Sequence, residues 1–316
     1  VIEGVGALLL SFVFVPDYGL GKGIYFGIWH SISSFCNGGF DLIGGFQSFT
    51  GYANNLLLNF TVCALIVIGG LGFAVTSEIV SYRTTRRLSM HSKIVLSITA
   101  ILVVGGAVLF YIFEHANPET MGNLPWYGKI YAAFYQSVTP RTAGSNTISQ
   151  TGLNPVSKVL TIVLMFIGGS PGSTAGGVKT TAVAMMAITL FTELMGRKDV
   201  TCFKRRIPEI TIKRAACVLT IGISIIIVII MILMVCEPGA DPMAVTFEVF
   251  SAYSTVGLTC DLTPHLHALS KVALIITMFI GRVGPLTIAY VITRKERKEL
   301  ENKGQFKLPE GNVLIG

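Results

Sequence analysis

The sequence predicts an all-α polytopic membrane protein assembled from repeated helix, pore-loop, helix modules, and three observations carry that prediction. Apolar residues make up 52% of the 316 positions and charged residues only 13%, with a mean hydropathy of +0.67, whereas a soluble domain carries about 25% charge. The basic residues are clustered: 17 of the 24 Lys and Arg fall in Arg83–Lys93, Arg197–Arg214 and the stretch after Thr293. Glycine-centred segments recur, with Gly39, Gly144 and Gly257 lying 105 and 113 residues apart. Each follows an aromatic-rich amphipathic stretch and precedes a long apolar one, and such a fixed period marks a repeated unit.

Taken in order, Val1–Val15 is apolar but shorter than the roughly 20 residues a spanning helix needs, so it reads as the end of a longer helix. It has no basic leader and runs into Pro16-Asp17, unlike a signal peptide. A pore helix is expected over Ile24–Phe35, then a full span over Asn55–Tyr82 whose Gly69-Gly70-Leu71-Gly72 would let helices approach closely. Ile94–Glu114 spans back, and Tyr127–Val138 re-enters as a second pore helix. The third repeat runs through Ile210–Cys236, Pro242–Tyr253 and an exit span over Val272–Thr293. The expected units are therefore 1–82, 94–196 and 210–293, with basic loops at 83–93 and 197–209 and a tail at 294–316. By the positive-inside rule, those basic segments face the cytoplasm. This distribution also disposes of nucleic acid as the reason for a net charge of +7 and a pI near 9.1, because the cations sit between spans.

The loops after the pore helices read as an ion filter. They are Asn37-Gly38-Gly39-Phe40, Thr142-Ala143-Gly144-Ser145 and Thr255-Val256-Gly257-Leu258. Potassium-channel filters are lined by backbone carbonyls, and glycine supplies the dihedral angles that turn them toward one axis. Pore helices would point the partial negative charge of their C-termini at the same centre, favouring cations.

One exit span is interrupted by Gly168-Gly169-Ser170-Pro171-Gly172-Ser173-Thr174-Ala175-Gly176-Gly177, followed by Val178 and Lys179. Five glycines and a proline inside a helix cost about 1 and 3 kcal/mol each relative to alanine, so two half-helices joined by a loop at membrane depth are expected. Unwound segments of this kind mark transport pathways; a packing kink is the alternative. A phosphate-binding P-loop fits poorly, since Val178 separates Gly177 from Lys179 and the context is a span rather than a soluble strand.

With these motifs in place, the chain resembles the Trk/Ktr/HKT superfamily of potassium translocators, and within it the membrane subunit of bacterial Ktr systems. The resemblance covers the whole chain and is carried by Ser137 to Gly144 (SVTPRTAG), Met165 to Lys179 (MFIGGSPGSTAGGVK), Ser254 to Thr259 (STVGLT) and Met278 to Pro285 (MFIGRVGP). It implies four modules around a pseudo-fourfold cation pore, with the broken helix of the third module as an intramembrane gate. Potassium uptake across the plasma membrane is implied, often sodium-dependent in Ktr systems, with no cofactor in the chain. So are a homodimeric membrane subunit and a cytosolic nucleotide-binding ring as partner. Three of the four modules are present, matching the family's second to fourth, and a truncated chain is the expected explanation. Ser145 is a second departure, because relatives commonly carry an aromatic after that glycine.

Arg282 falls near the middle of its expected span, where a charge costs about 2.5 to 3.5 kcal/mol. The family's matching arginine faces the gate loop, so Arg282 is assigned to the gate; tying helix ends to backbone carbonyls is the alternative. Lys179 is placed with the gate too, against a snorkelling structural lysine. Arg141 is expected as a strut paired with an acid or carbonyl behind the filter. Asp41 and Asp261 follow their filter segments and would concentrate cations by field focusing, or are simply solvated.

An enzyme would need a nucleophile and base at fixed spacing; there is no G-x-S-x-G, no H-E-x-x-H and no paired intramembrane carboxylates, Glu78 standing alone. The six cysteines form no C-x-x-C and read as small apolar fillers rather than a zinc site or disulfide framework. A non-conducting scaffold would not need one glycine filter three times.

Overall fold

The computed structural model describes residues 1–45, 47–197, 199–284 and 287. Its helices are α1 (Ile2–Tyr18), α2 (Leu20–Phe35), α3 (Leu56–Leu71), α4 (Phe73–Thr85), α5 (Met90–Glu114), α6 (Trp126–Val138), α7 (Pro155–Phe166), α8 (Thr180–Leu194), α9 (Glu209–Cys236), α10 (Pro242–Tyr253) and α11 (Ala268–Val283). Local chemistry sets several of these starts. Asn55, Ser89 and Asp241 cap α3, α5 and α10 by accepting from the N–H groups of Leu58, Ser92 and Ala244, and proline occupies the first turn of α7 and α10, where its missing donor costs nothing.

Among the described residues, two helices are long and apolar enough to cross a bilayer: α5 with 25 residues and α9 with 28. At ~1.5 Å per residue each exceeds the ~30 Å hydrocarbon layer. Their outward faces, like those of the neighbouring helices, carry exposed Ile101, Val104, Phe60, Ile227, Val235 and Phe279. An apolar surface of that extent belongs in lipid, not water. Inside, one cluster joins Leu10 and Phe14 of α1, Leu58 and Ile66 of α3, and Tyr135 and Val138 of α6. A second joins Ile226 and Leu233 of α9, Val245, Val249 and Tyr253 of α10, and Leu274 of α11.

The expected straight span over Asn55–Tyr82 is not found. It is two helices, α3 and α4, meeting at 102°. Gly72 sits at the break with φ +86°, a left-handed conformation that costs an L side chain roughly 1–2 kcal/mol. The groups freed by the break find partners in the 168–177 loop: Ser170 N donates to Gly70 O at 3.0 Å and Phe73 N to Gly172 O at 3.2 Å, and the Ser170 hydroxyl donates to Leu71 O. Such satisfaction is what lets a helix break at membrane depth. Here it needs a segment about 100 residues away.

Smaller differences occur elsewhere. α1 continues through Pro16, and α2 starts at Leu20, before the expected Ile24. Within the second basic loop a short hairpin forms, β1 (Thr201–Cys202) pairing antiparallel with β2 (Arg205–Arg206). Most of the expected exit span beyond Gly284, Pro285 of the fourth motif and the 294–316 tail lie outside the described residues.

Candidate functional site

The three short helices α2, α6 and α10 run into the three glycine segments with the same backbone geometry. In each segment the first and third residues have positive φ: Asn37 (53°) and Gly39 (72°), Thr142 (70°) and Gly144 (82°), Thr255 (53°) and Gly257 (94°). In an ordinary strand, successive residues face opposite sides. Alternating left-handed residues with right-handed ones rotates every second peptide, so that consecutive carbonyls point the same way. Asn37 tolerates the left-handed region, but β-branched Thr142 and Thr255 are outliers there, each worth about 1–3 kcal/mol of strain. Such strain persists only where the surroundings impose it.

The segments are neighbours in space. A side chain on Gly39 would run into the Ala143 carbonyl, and one on Gly144 would run into the Val256 carbonyl. Carbonyl oxygen and glycine thus alternate from the first segment to the second and from the second to the third. Asn37 Nδ2 crosses to donate to Arg141 O and Thr142 Oγ1, both at 3.3 Å. The middle segment is enclosed, with Thr142, Ala143 and Ser145 buried, whereas Gly38 and Phe40 of the first segment and Gly257 of the third are exposed; Val256 and Leu258 are buried. Behind the middle segment, Tyr135 OH is 2.5 Å from Ser145 Oγ, and the Thr139 hydroxyl donates to Ser145 O. Tyr135 therefore supplies an aromatic backing from the helix, where the sequence after Gly144 offers only serine. Its place in the amphipathic pattern of α6 was the available signal.

Arg141 is buried, and its Nη2 donates to Thr99 Oγ1 of α5 at 3.2 Å. In place of the expected acid or carbonyl, its partner is thus a hydroxyl on α5. Asp41 turns back to accept from Ile43 N at 3.1 Å, while Asp261 is exposed at φ 64°.

The 168–177 loop packs against the end of α2, just ahead of the first segment, and against Ser254 and Thr255 at the third. Its two ends close on each other, with Gly168 N donating to Val178 O at 2.9 Å and Thr180 N to Gly169 O at 3.0 Å. Between them, Thr174 Oγ1 lies 3.3 Å from both Phe35 O at the end of α2 and Gly69 O of α3. Gly176 abuts Thr255, and Gly177 abuts Ser254. Ser173 Oγ donates to Ser170 O at 2.6 Å, and Pro171 and Gly172 complete the turn beside the α3–α4 break. From α11, Arg282 Nη1 donates to Thr174 O. Lys179 Nζ folds back onto Ala175 O at 2.7 Å, so its charge is spent on the loop itself. Backbone and small side chains of the loop are thus seated against the end of α2, against α3 and α4, and against Ser254 and Thr255 at the third segment, with a guanidinium reaching in from α11.

A family profile described as TrkH, cation transport protein, matches residues 5–302. The potassium/sodium uptake protein NtpJ of Enterococcus hirae is 40% identical over 319 residues, covering 100% of this chain and 69% of that protein. Ktr system potassium uptake protein B of Vibrio alginolyticus is 37% identical, and that of Bacillus subtilis 35%, each across the whole chain and covering 68% and 69% of those proteins. Among solved structures, the potassium transporter TrkH from Vibrio parahaemolyticus superposes with a TM-score of 0.67 at 20% identity, over 91% of this chain and 62% of that one. At that identity the likeness speaks for the fold alone. The chain spans about two thirds of the length of these proteins.

Proposed function

The chain belongs to the TrkH family of cation transport proteins, a family of membrane transporters rather than enzymes, and on that premise we propose that it forms part of a channel-like pathway for potassium uptake. The observation that carries the reading is the alternation of positive φ at Asn37 and Gly39, Thr142 and Gly144, Thr255 and Gly257 in three adjacent segments. Carbonyls turned to one side by that alternation replace a potassium ion's hydration shell, with Gly38, Phe40, Ala143, Ser145, Val256 and Leu258 completing the filter. α2, α6 and α10 end at the filter, where their C-terminal dipoles favour a cation.

On this reading the segment 168–177 is the gate. It occludes the path just inside the filter, with Arg282 as its latch and Lys179 as an internal brace. The units 1–82, 94–196 and 210–293 act as successive modules around the pore. The loops at 83–93 and 197–209 and the C-terminal tail face the cytoplasm, and the membrane is the plasma membrane. Names of the relatives support both potassium and sodium as transported or coupling ions. The resemblance to Ktr membrane subunits supports a homodimer working with a cytosolic nucleotide-binding ring.

Substitution of Gly144 by Ser, in the complete gene product expressed in potassium-uptake-deficient cells, tests the filter. The left-handed φ of 82° disfavours a side chain, and the Val256 carbonyl blocks it. A penalty of about 1.4 kcal/mol on ion coordination is a tenfold change, so discrimination of rubidium over sodium in competitive uptake should fall about tenfold. Undiminished discrimination with normal membrane levels would overturn the filter assignment.

A further inference from the structure

Six or seven residues ahead of the first left-handed filter residue, each short helix buries a polar side chain: His30 on α2, Gln136 on α6 and Glu248 on α10. The first two fasten the loop that leaves the filter, and every group they bring is used. His30 Nε2 accepts from Leu42 N at 3.1 Å, so Nδ1 carries the proton and donates to Phe26 O at 2.7 Å. Gln136 and Gln150 exchange two bonds, Nε2 of each donating to Oε1 of the other at 2.9 and 3.0 Å. Both fastenings are neutral.

The third is not. Glu248 is 6% exposed. Its Oε1 accepts from the Thr263 hydroxyl, but its Oε2 is buried with no hydrogen-bond partner. No Lys, Arg or His is paired with it among the described residues. Thr263 Oγ1 also lies 3.2 Å from Thr259 Oγ1, and Thr259 Oγ1 accepts from Leu262 N at 3.3 Å. The result is a cluster of four oxygens with no cationic partner among the described residues. A carboxylate removed from water costs several kcal/mol unless a counter-charge reaches it.

We propose that the Glu248 carboxylate, together with the hydroxyls of Thr259 and Thr263, binds a monovalent alkali cation beside the outer end of the third filter segment. The ligands are all hard oxygens, the chemistry that such ions accept in place of water. One carboxylate neutralises one charge; a divalent ion would leave a net positive charge in a low-dielectric site, which is the same penalty with the sign reversed. Because Thr259 follows Leu258 directly, an ion held there fixes the end of the third filter segment, in the position where a histidine and a glutamine pair fix the other two. The site stands apart from the filter reading, since none of its side chains belongs to the proposed filter.

Thallous ion, used as the probe on crystals of the complete gene product, locates the site by anomalous scattering. An anomalous peak is expected between the Glu248 carboxylate and the two threonine hydroxyls, and it should vanish in Glu248→Gln while peaks in the filter persist. Filter peaks without one at Glu248 in the unsubstituted protein would overturn the proposal. So would thermal unfolding that responds identically in the two proteins when alkali salt is replaced by choline chloride, because a protonated, neutral Glu248 would behave as glutamine does. Thr263→Val, which removes one ligand and keeps the carboxylate, gives the same readings if the glutamine variant fails to fold. A peak at Glu248 with none in the filter would support this site and count against the filter assignment alone.

Discussion

Replacing Arg282 with Ala should raise cation flux, and the size of the effect follows from what holds the 168–177 loop. The loop is fastened to α3 and α4 through Ser170 N to Gly70 O, Phe73 N to Gly172 O and the Ser170 hydroxyl to Leu71 O, to α2 through Thr174 Oγ1, and to α11, among the described residues, through Arg282. The α11 fastening is the charged one. Hydrogen bonds to charged groups contribute about 1.5–3 kcal/mol net, and their loss leaves Thr174 O without that partner. If the loop is closed for most of the time, weakening closure by that amount multiplies the open population about 10- to 150-fold. Initial rates of rubidium uptake, normalised to protein in the membrane, should therefore rise by about an order of magnitude in Arg282→Ala. Arg282→Lys keeps the positive charge but not the planar fork, so its rate should fall between the two. Equal or lower flux in the alanine variant, with folding and membrane levels unchanged, would refute the latch.

Gly72→Ala should lower thermal stability by about 1–3 kcal/mol, read as a fall in Tm, because the residue holds φ +86° and an added Cβ would press on the Pro171 carbonyl; an unchanged Tm would mean that the α3–α4 bend is not imposed by the 168–177 loop. Glu237, in the loop after α9, accepts from His267 N at 2.7 Å and Ser270 Oγ at 2.7 Å, with its carboxyl held below the usual range chiefly by the His267 backbone N–H and then by the Ser270 hydroxyl. A depressed folded pKa adds stability above the unfolded carboxyl value and loses it as pH falls through the folded one, so acidification below about pH 4.3 should lower Tm less in Glu237→Gln than in the unsubstituted protein. Parallel acid profiles would remove Glu237 from that account.

Much of the architecture was legible in the chain because it rests on local chemistry. Hydropathy and length marked α5 and α9, the repeated module order marked α10, and clustered glycines with Pro171 marked the interruption between α7 and α8. The recurrence of Gly39, Gly144 and Gly257 picked out the segments that the fold sets side by side, because a left-handed residue is a local requirement that glycine advertises. The same logic did not reach Asn37, Thr142 and Thr255. Two of these are β-branched, residues that propensity assigns to extended backbone, and only the packed surroundings hold them at positive φ.

What the sequence determined by itself was therefore the membrane environment, the order of long and short helices and the repeating glycine segments, all functions of residue type and spacing. The tertiary structure decided the pairings. Asn55–Tyr82 reads as one apolar span until the 168–177 loop arrives to satisfy the peptide groups around Gly72, a contact between segments about 100 residues apart. Lys179 reads as a gate residue or a snorkelling lysine, and its partner, the Ala175 carbonyl, exists only because its own loop curls back to offer it. Arg141 finds a hydroxyl on α5, and Ser145 finds the tyrosine that the sequence after Gly144 lacks. In each case a polar group buried in a low-dielectric interior must be paired, and which partner it takes is set by distances that exist only once the helices have packed.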